Sequence, residues 1–157
     1  MTGIHIVFVG VLACLILDVW QRLLLLVFKL PVSNWAIVGR WLVSFLKTGK
    51  WINNALPEQS PIPHELMIGW VFHYFIAVVY AFFYFILWWS NILSFEFFDG
   101  LVFGVVSVVV PWFFFMPAMG SGILAGKTDK PNLVCFLELC AHGIFGIAIA
   151  LFFQVIY

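Results

Sequence analysis

Apolar residues fill four long stretches of the chain, and most polar residues lie between them. The stretches run from about Ile4 to Lys29, from Leu66 to Trp89, from Phe98 to Met119 and from Leu133 to Tyr157. Each contains the roughly 20 mostly apolar residues that a helix needs to cross a bilayer. The pattern therefore predicts an all-α integral membrane protein with four transmembrane helices.

The connection between the first two stretches contains a helix of another kind. Trp35, Val38 and Trp41 recur at helical spacing, whereas Arg40 and Lys47 fall on the opposite side. An apolar face opposite a basic face is typical of a helix that lies in the bilayer surface. We therefore expect an interfacial amphipathic helix between transmembrane helices one and two.

Composition supports a membrane location and excludes some partners. Hydrophobic residues make up 65% of the 157 residues and charged residues only 9%, whereas soluble domains are about 25% charged. This length predicts a single domain over residues 1–157. The apolar composition therefore predicts the lipid bilayer as a partner. Because the formal net charge is zero, we expect no nucleic acid as a partner.

Positive charges predict the orientation of the helices. The seven lysines and arginines lie in the first and third connections, or in the half of helix one that leads into the first connection. Connections rich in lysine and arginine stay in the cytoplasm. Both termini are therefore predicted to lie on the opposite side of the membrane.

Each predicted transmembrane helix has one face of small or polar residues. The faces are Cys14, Asp18, Gln21, Arg22 and Lys29 in helix one; Gly69, His73, Ala77, Tyr80 and Tyr84 in helix two; Gly100, Gly104, Ser107 and Pro111 in helix three; and Cys135, Glu138, His142 and Gly146 in helix four. Helices in lipid associate through small residues and interhelical hydrogen bonds. We therefore expect these faces to meet, with Gly100 and Gly104 as a point of close approach.

Five ionisable residues fall at one predicted depth in the cytoplasmic half of the bundle: Asp18, Arg22, His73, Glu138 and His142. At 1.5 Å of rise per residue, they occupy a layer roughly 10 Å thick. Ionisable groups at membrane depth are costly, and they often line ion or substrate pathways. The sequence therefore predicts a polar centre that binds a ligand or protons.

Structural interpretations of the same residues stay open. Asp18 and Arg22 are four residues apart, as are Glu138 and His142, so each pair has the spacing of an intrahelical ion pair or hydrogen bond.

Pro111 is predicted to break helix three at the level of the polar centre and to free a backbone carbonyl there.

Five segments are similar, in order, to a family of small bacterial inner-membrane proteins catalogued as domain of unknown function 2938. They are LDVWQ (17–21), GRW (39–41), GWVFHY (69–74), PWFFFMPAMGSG (111–122) and HGIFG (142–146). The resemblance implies four helices and a bacterial inner membrane, and it implies no activity. In such a membrane the side predicted for both termini is the periplasm. It matches Asp18, Arg40, His73 and His142 to family motifs, whereas Arg22 and Glu138 rest on their depth alone.

The leading functional hypothesis is a small transporter or proton-coupled carrier, in which the polar centre relays protons or binds a solute. Four helices enclose little volume, so we expect a homo-oligomer. A second hypothesis is a membrane-embedded enzyme acting on a lipid or isoprenoid. In that case Arg40, Lys127 and Lys130 would contact an anionic head group on the cytoplasmic side, although the chain has no DxxD-type metal motif.

A third hypothesis is an accessory subunit of a membrane complex that binds haem or a metal. His73 and His142 lie on different helices at similar depth, which permits haem ligation by two histidines. His73, Glu138 and His142 are the candidate ligands of a divalent metal. The sequence itself names no cofactor and does not decide whether the protein is an enzyme.

Overall fold

The fold is described by a computed structural model that covers residues 3–157, so the first two residues of the predicted domain lie outside it. These residues form helices and turns and contain no β-strand. The elements in chain order are α1 (Gly3–Phe28), α2 (Trp35–Thr48), α3 (Glu65–Trp89), α4 (Phe97–Ser107), a π-helical segment (Pro111–Phe115), α5 (Met116–Ala118) and α6 (Pro131–Ile156). Two short 3₁₀ turns, Leu56–Glu58 and Ile123–Ala125, lie in the connections.

Four segments are long and apolar enough to cross a membrane: α1, α3, α6 and the interrupted helix Phe97–Ala118. This confirms the predicted all-α class with four membrane-capable helices, a number and length typical of a multi-pass membrane protein. The bounds lie within two residues of the predicted ones. The largest difference is that α6 begins at Pro131 rather than Leu133, because a proline fits the first position of a helix, where its missing N–H is not needed.

The third membrane-capable helix is interrupted, as predicted from Pro111. Regular α-helix ends at Ser107, and a π-helical segment follows from Pro111 to Phe115. Proline has no N–H to donate to the carbonyl four residues earlier, and its ring crowds that carbonyl. The chain responds by widening, and the N–H of Met116 bonds to the Pro111 carbonyl five residues back.

Helix α2 is the predicted helix between the first two membrane-capable segments. The Asn34 side chain caps its start by accepting a hydrogen bond from the Ala36 N–H at 3.1 Å. Gly49 ends it in the left-handed conformation (φ 68°), with its N–H bonded to the Phe45 carbonyl at 2.8 Å. Asparagine at the start and glycine at the end are the residue types that these two positions favour.

The chain divides into two compact units, each built from several segments. Unit 1 contains the chain up to Val32 together with Tyr74–Val108 and Leu139–Tyr157. Unit 2 contains Ser33–His73 and Val109–Glu138. The single domain predicted over residues 1–157 stays a prediction.

Unit 1 has a core to which α1, α3, α4 and α6 all contribute, including Val9, Ala81, Tyr84, Ile149 and Phe153. Its helices approach closely at glycines of the predicted small faces. A Cβ atom on Gly104 would lie 2.2 Å from the His142 carbonyl oxygen, and one on Gly146 would lie 2.3 Å from the Gly100 carbonyl oxygen. The close approach predicted at Gly100 and Gly104 is therefore confirmed.

Unit 2 has a smaller aromatic core. Trp41 of α2, Leu56 and Ala118 are buried, and Phe45, Phe72 and Phe115 pack against them. The Trp41 indole N–H donates to the Trp51 carbonyl at 2.8 Å, which satisfies its polar group inside this core.

Candidate functional site

A hydrogen-bonded cluster in unit 1 is built on His142 of α6. The imidazole Nδ1 lies 2.7 Å from the Ser107 hydroxyl oxygen, at the last residue of α4. That hydroxyl also donates to the Gly104 carbonyl at 2.7 Å. Because a serine hydroxyl has one hydrogen, its oxygen accepts the second bond, and Nδ1 of His142 is the protonated ring nitrogen.

The cluster uses the backbone group that Pro111 frees. In a continuous helix, the Ser107 carbonyl would accept from the N–H of residue 111, which proline lacks. The Tyr80 hydroxyl of α3 donates to this carbonyl at 3.5 Å. The Tyr80 ring also stands edge-on to the imidazole of His142, with centroids 5.8 Å apart. Three helices therefore meet around one histidine at the end of an interrupted helix.

The close helix contact explains why His142 reaches Ser107. Gly104 has no side chain, so the backbone of α4 approaches the His142 carbonyl of α6 more closely than any other residue would allow. Ser107 follows Gly104 by three residues and therefore lies on the same helix face. Its side chain is buried, so the hydroxyl points into the contact between helices.

Asp18 of α1 forms a second polar contact in unit 1. Its Oδ2 accepts a hydrogen bond from the Tyr74 hydroxyl of α3 at 2.8 Å. The side chain of Arg22, one turn further along α1, is exposed. That Asp18 and Arg22 form an intrahelical ion pair stays a prediction. Two tyrosines of α3 thus contact these ionisable groups: the Tyr74 hydroxyl contacts Asp18, and the Tyr80 ring contacts His142.

His73 lies in unit 2 and is buried among tryptophans. Its ring stacks on Trp35 of α2, with centroids 3.8 Å apart and planes inclined by 24°. Trp70, one turn earlier on α3, meets it edge-on at 5.7 Å. Stacked and edge-on arrangements are the favourable geometries for such rings, so the two indoles fix the orientation of the imidazole.

Glu138 also lies in unit 2. Its Oε1 is 3.5 Å from the hydroxyl of Ser33, which precedes the cap of α2. Glu138 and His142 thus each have a serine as a partner, Ser33 and Ser107 respectively, and a bond between Glu138 and His142 stays a prediction. That His73, Glu138 and His142 hold a metal, or that the two histidines hold a haem, stays a prediction.

Arg40 has an intramolecular anion as its partner. Its Nε and Nη2 donate to the two oxygens of Glu65 at 2.8 and 3.0 Å, and its Nη1 donates to the carbonyls of Leu56 (3.3 Å) and Gln59. The Glu65 carboxylate also accepts from the Ile62 N–H at 2.9 Å. The hydrogen bonds to Glu65 raise the pKa of Arg40, which is a permanent cation in any case.

The two lysines predicted to contact a head group are exposed in unit 2. Lys127 donates to the Asn54 side-chain oxygen at 3.0 Å, and Lys130 lies just before α6. Of the three residues predicted for this role, only Arg40 is buried.

One polar group in the interrupted helix has no partner. Among the described residues, the buried indole N–H of Trp112, in the π-helical segment, is a donor without an acceptor. A buried donor left unsatisfied costs about 1–3 kcal/mol. An acceptor from water or from a bound solute would remove that cost.

Sequence reasoning missed the groups that hold the ionisable side chains. Tyr74 and Ser33 were not singled out, and Trp35 was assigned only to the apolar face of α2. One available signal was the tyrosine hydroxyls within apolar helices, because a buried tyrosine hydroxyl usually finds a hydrogen-bond partner. The partner of Arg40 gives no such signal, because Glu65 lies 25 residues away in another element.

Residues 7–155 match the family described as "Protein of unknown function (DUF2938)". The match spans nearly the whole chain, so the protein belongs to this family, as the five sequence segments predicted. The chain matches no curated protein and no solved structure.

Proposed function

We propose that this member of the DUF2938 family is a small proton-coupled carrier, with His142 as the residue that binds the transported proton. The observation that supports it is the 2.7 Å contact between His142 and Ser107 at the point where the third membrane-capable helix is interrupted. A histidine is the side chain whose charge changes nearest to neutral pH, and ionisable side chains inside membrane proteins commonly serve proton or solute pathways.

The hydrogen bonds define how His142 takes up a proton. Because Nδ1 already carries a hydrogen and donates it to Ser107, Nε2 is the nitrogen that gains and loses the transported proton. The bond to Ser107 therefore persists in both charge states and holds the ring in place. The Tyr80 hydroxyl holds the Ser107 carbonyl, so the position of Ser107 is set from α3 as well.

The interrupted helix supplies an element that moves. A helix that lacks regular backbone bonds bends more easily than a continuous one, and π-helical segments occur often at functional sites. Discontinuous helices form the solute sites of many secondary transporters. The unpartnered N–H of Trp112 in this segment is a donor for an acceptor group of the solute. Proton binding by His142, which is bonded to Ser107 at the end of α4, would thus be coupled to solute binding through the interrupted helix that contains both Ser107 and Trp112.

The proposal is tested by replacing His142 with asparagine. The amide N–H of the introduced asparagine occupies nearly the place of Nδ1–H, so the bond to Ser107 is kept while the titratable Nε2 is lost. In proteoliposomes with an imposed pH gradient and membrane potential, a pH-sensitive dye reports proton entry, with and without a panel of small cations, amines and organic acids. We expect the wild-type flux above empty vesicles to fall at least tenfold in His142→Asn.

The matched control is His64→Asn. His64 is exposed, lies before α3 and has φ 62°, a conformation that asparagine tolerates. We expect its flux to equal that of the wild type. If neither protons nor any solute cross faster than in empty vesicles, or if the two variants behave alike, the carrier proposal fails.

The same atoms favour a second candidate, a membrane-embedded enzyme acting on a lipid ester. A serine hydroxyl 2.7 Å from an imidazole nitrogen resembles a nucleophile beside its base. However, the Ser107 hydrogen points to the Gly104 carbonyl, and nucleophilic attack requires that it be donated to the imidazole. Labelling of Ser107 by a fluorophosphonate probe, lost in Ser107→Ala, would favour this enzyme over the carrier.

We also propose that the carrier lies in a bacterial inner membrane with both termini in the periplasm, on the basis of the lysine and arginine distribution. Alkaline phosphatase fused after Tyr157 is expected to be active, and green fluorescent protein fused there to be dark. Fusions after Lys130 should show the opposite pattern. Equal activity of the phosphatase at both positions would contradict this orientation.

A further inference from the structure

We propose that unit 2 carries a binding surface for the head group of an anionic phospholipid. The surface, here called the lysine surface, consists of Lys50, Trp51, Ile123, Leu124 and Lys127. All five residues are exposed, and all lie outside the four membrane-capable helices. The inference does not depend on the carrier function.

Two connections are joined to make the lysine surface. The Asn53 N–H donates to the Ala118 carbonyl at 2.9 Å, and Lys127 donates to the Asn54 side chain at 3.0 Å. Gly120 lies against the same segment, where an added Cβ would be 2.9 Å from the Asn54 carbonyl oxygen. Lys50 and Trp51 thus belong to a segment that is bonded directly to the connection containing Lys127.

The apolar tip of the lysine surface is held in a strained conformation. Leu124 and Ala125 have φ values of 51° and 55°, in the left-handed region that residues with a Cβ rarely adopt. Such strain persists only where surrounding bonds impose it, and it is concentrated at functional sites. Here the Thr128 N–H and hydroxyl both donate to the Ala125 carbonyl at 2.8 Å.

The strained turn presents two large aliphatic side chains outward. Ile123 is 59% exposed and Leu124 40% exposed, although neighbouring Ala125 is fully buried. Exposed apolar groups beside cations match the boundary between acyl chains and charged head groups. Trp51 is a residue type enriched at that boundary. The apolar tip would insert among acyl chains while the lysines face phosphate groups.

The positive charge of the lysine surface favours an anionic over a zwitterionic phospholipid. The Lys127 side chain lies beside Gly122, which precedes the tip, and Lys50 lies in the segment that is bonded to this connection. A lysine near an anionic membrane surface strengthens binding about fivefold. A zwitterionic lipid offers no net charge to match the lysines. We therefore assign the lysine surface to an anionic phospholipid such as phosphatidylglycerol rather than to phosphatidylcholine.

The test is native mass spectrometry of the full-length protein released from detergent, titrated with dioleoylphosphatidylglycerol or dioleoylphosphatidylcholine. We expect phosphatidylglycerol to bind at least fivefold more tightly. Lys127→Gln should weaken it about fivefold, and Lys50→Gln with Lys127→Gln should bring it near the phosphatidylcholine value. Lys29→Gln, an exposed lysine of unit 1, should leave it unchanged.

A second pair of variants separates the apolar tip from the strain. Leu124→Gly and Ala125→Gly each relieve a left-handed conformation, but only the first removes an exposed aliphatic side chain. We expect Leu124→Gly to weaken binding of both lipids several-fold and Ala125→Gly to leave both unchanged. Equal binding of the two lipids, equal losses in Lys29→Gln and Lys127→Gln, or binding of glycerol 3-phosphate as tight as that of the lipid would overturn the proposal.

Discussion

Replacing Gly69 with alanine is expected to destabilise the protein by on the order of 3 kcal/mol or more. A Cβ atom on Gly69 would lie 1.7 Å from the Trp35 carbonyl oxygen and 2.6 Å from its carbon. These are backbone atoms of α2, so no side-chain rotation relieves the overlap and α2 has to move away from α3. That movement also separates Trp35 from His73, whose rings are now 3.8 Å apart.

The effect is measured by the thermal unfolding of detergent-solubilised protein, followed by size-exclusion chromatography of the heated samples. We expect the midpoint of Gly69→Ala to fall by roughly 5–10 °C. The matched control is Gly3→Ala, which is also helical but has nothing within 4 Å of the added Cβ; it should keep the wild-type midpoint. Midpoints that agree in the two variants would show that α2 and α3 do not pack as described.

The membrane-capable helices were predictable because one physical requirement, hydrogen bonding of the backbone in lipid, decides their structure. A stretch of about 20 apolar residues has few alternatives to a helix in lipid, since every backbone polar group has to be satisfied within the segment. The interruption at Pro111 was predictable for a similarly local reason, the missing N–H. Local chemistry of this kind is visible in the sequence, and the structure bears it out.

The environment of Arg40 was not predictable from the same pattern. A helical pattern places Arg40 opposite the apolar stripe of α2, which suggests contact with water or a head group. In the structure Arg40 is buried and bonded to Glu65. The periodicity of apolar residues describes one helix at a time, so it does not predict an ion pair with Glu65, which lies 25 residues away in another helix.

The candidate site was also predictable only in part: its ionisable residues were, and their hydrogen-bond partners were not. The depth argument selected His142 and Asp18, and the small residues predicted the close helix contact at Gly104. The hydroxyl partners set the state of these groups, because the bond to Ser107 determines which nitrogen of His142 carries the hydrogen. Such partners depend on side-chain geometry between helices, which a residue count along each helix does not contain.

Replacing Arg40 with alanine is expected to lower the unfolding midpoint by roughly 5 °C or more. The guanidinium joins Glu65, at the start of α3, to the carbonyls of Leu56 and Gln59 in the preceding connection. Its loss takes away the two guanidinium donors of the Glu65 carboxylate, which keeps only the Ile62 N–H. Removing one partner of a buried ion pair is strongly destabilising, because the other charge stays buried without it. Arg40→Lys should fail as well, because a single ammonium cannot reproduce the bidentate fork.

The controls for Arg40 separate charge from geometry. Lys47→Ala removes an exposed cation from the same helix and should leave the midpoint nearly unchanged, since exposed charges contribute little to stability. Arg40→Met combined with Glu65→Met should be more stable than Arg40→Met alone, because the double variant leaves no unpaired buried charge. If the double variant is the less stable one, or if Lys47→Ala matches Arg40→Ala, the bond between Arg40 and Glu65 does not stabilise unit 2. A high midpoint in Arg40→Lys would instead show that any cation at this position suffices, which contradicts the role of the planar fork.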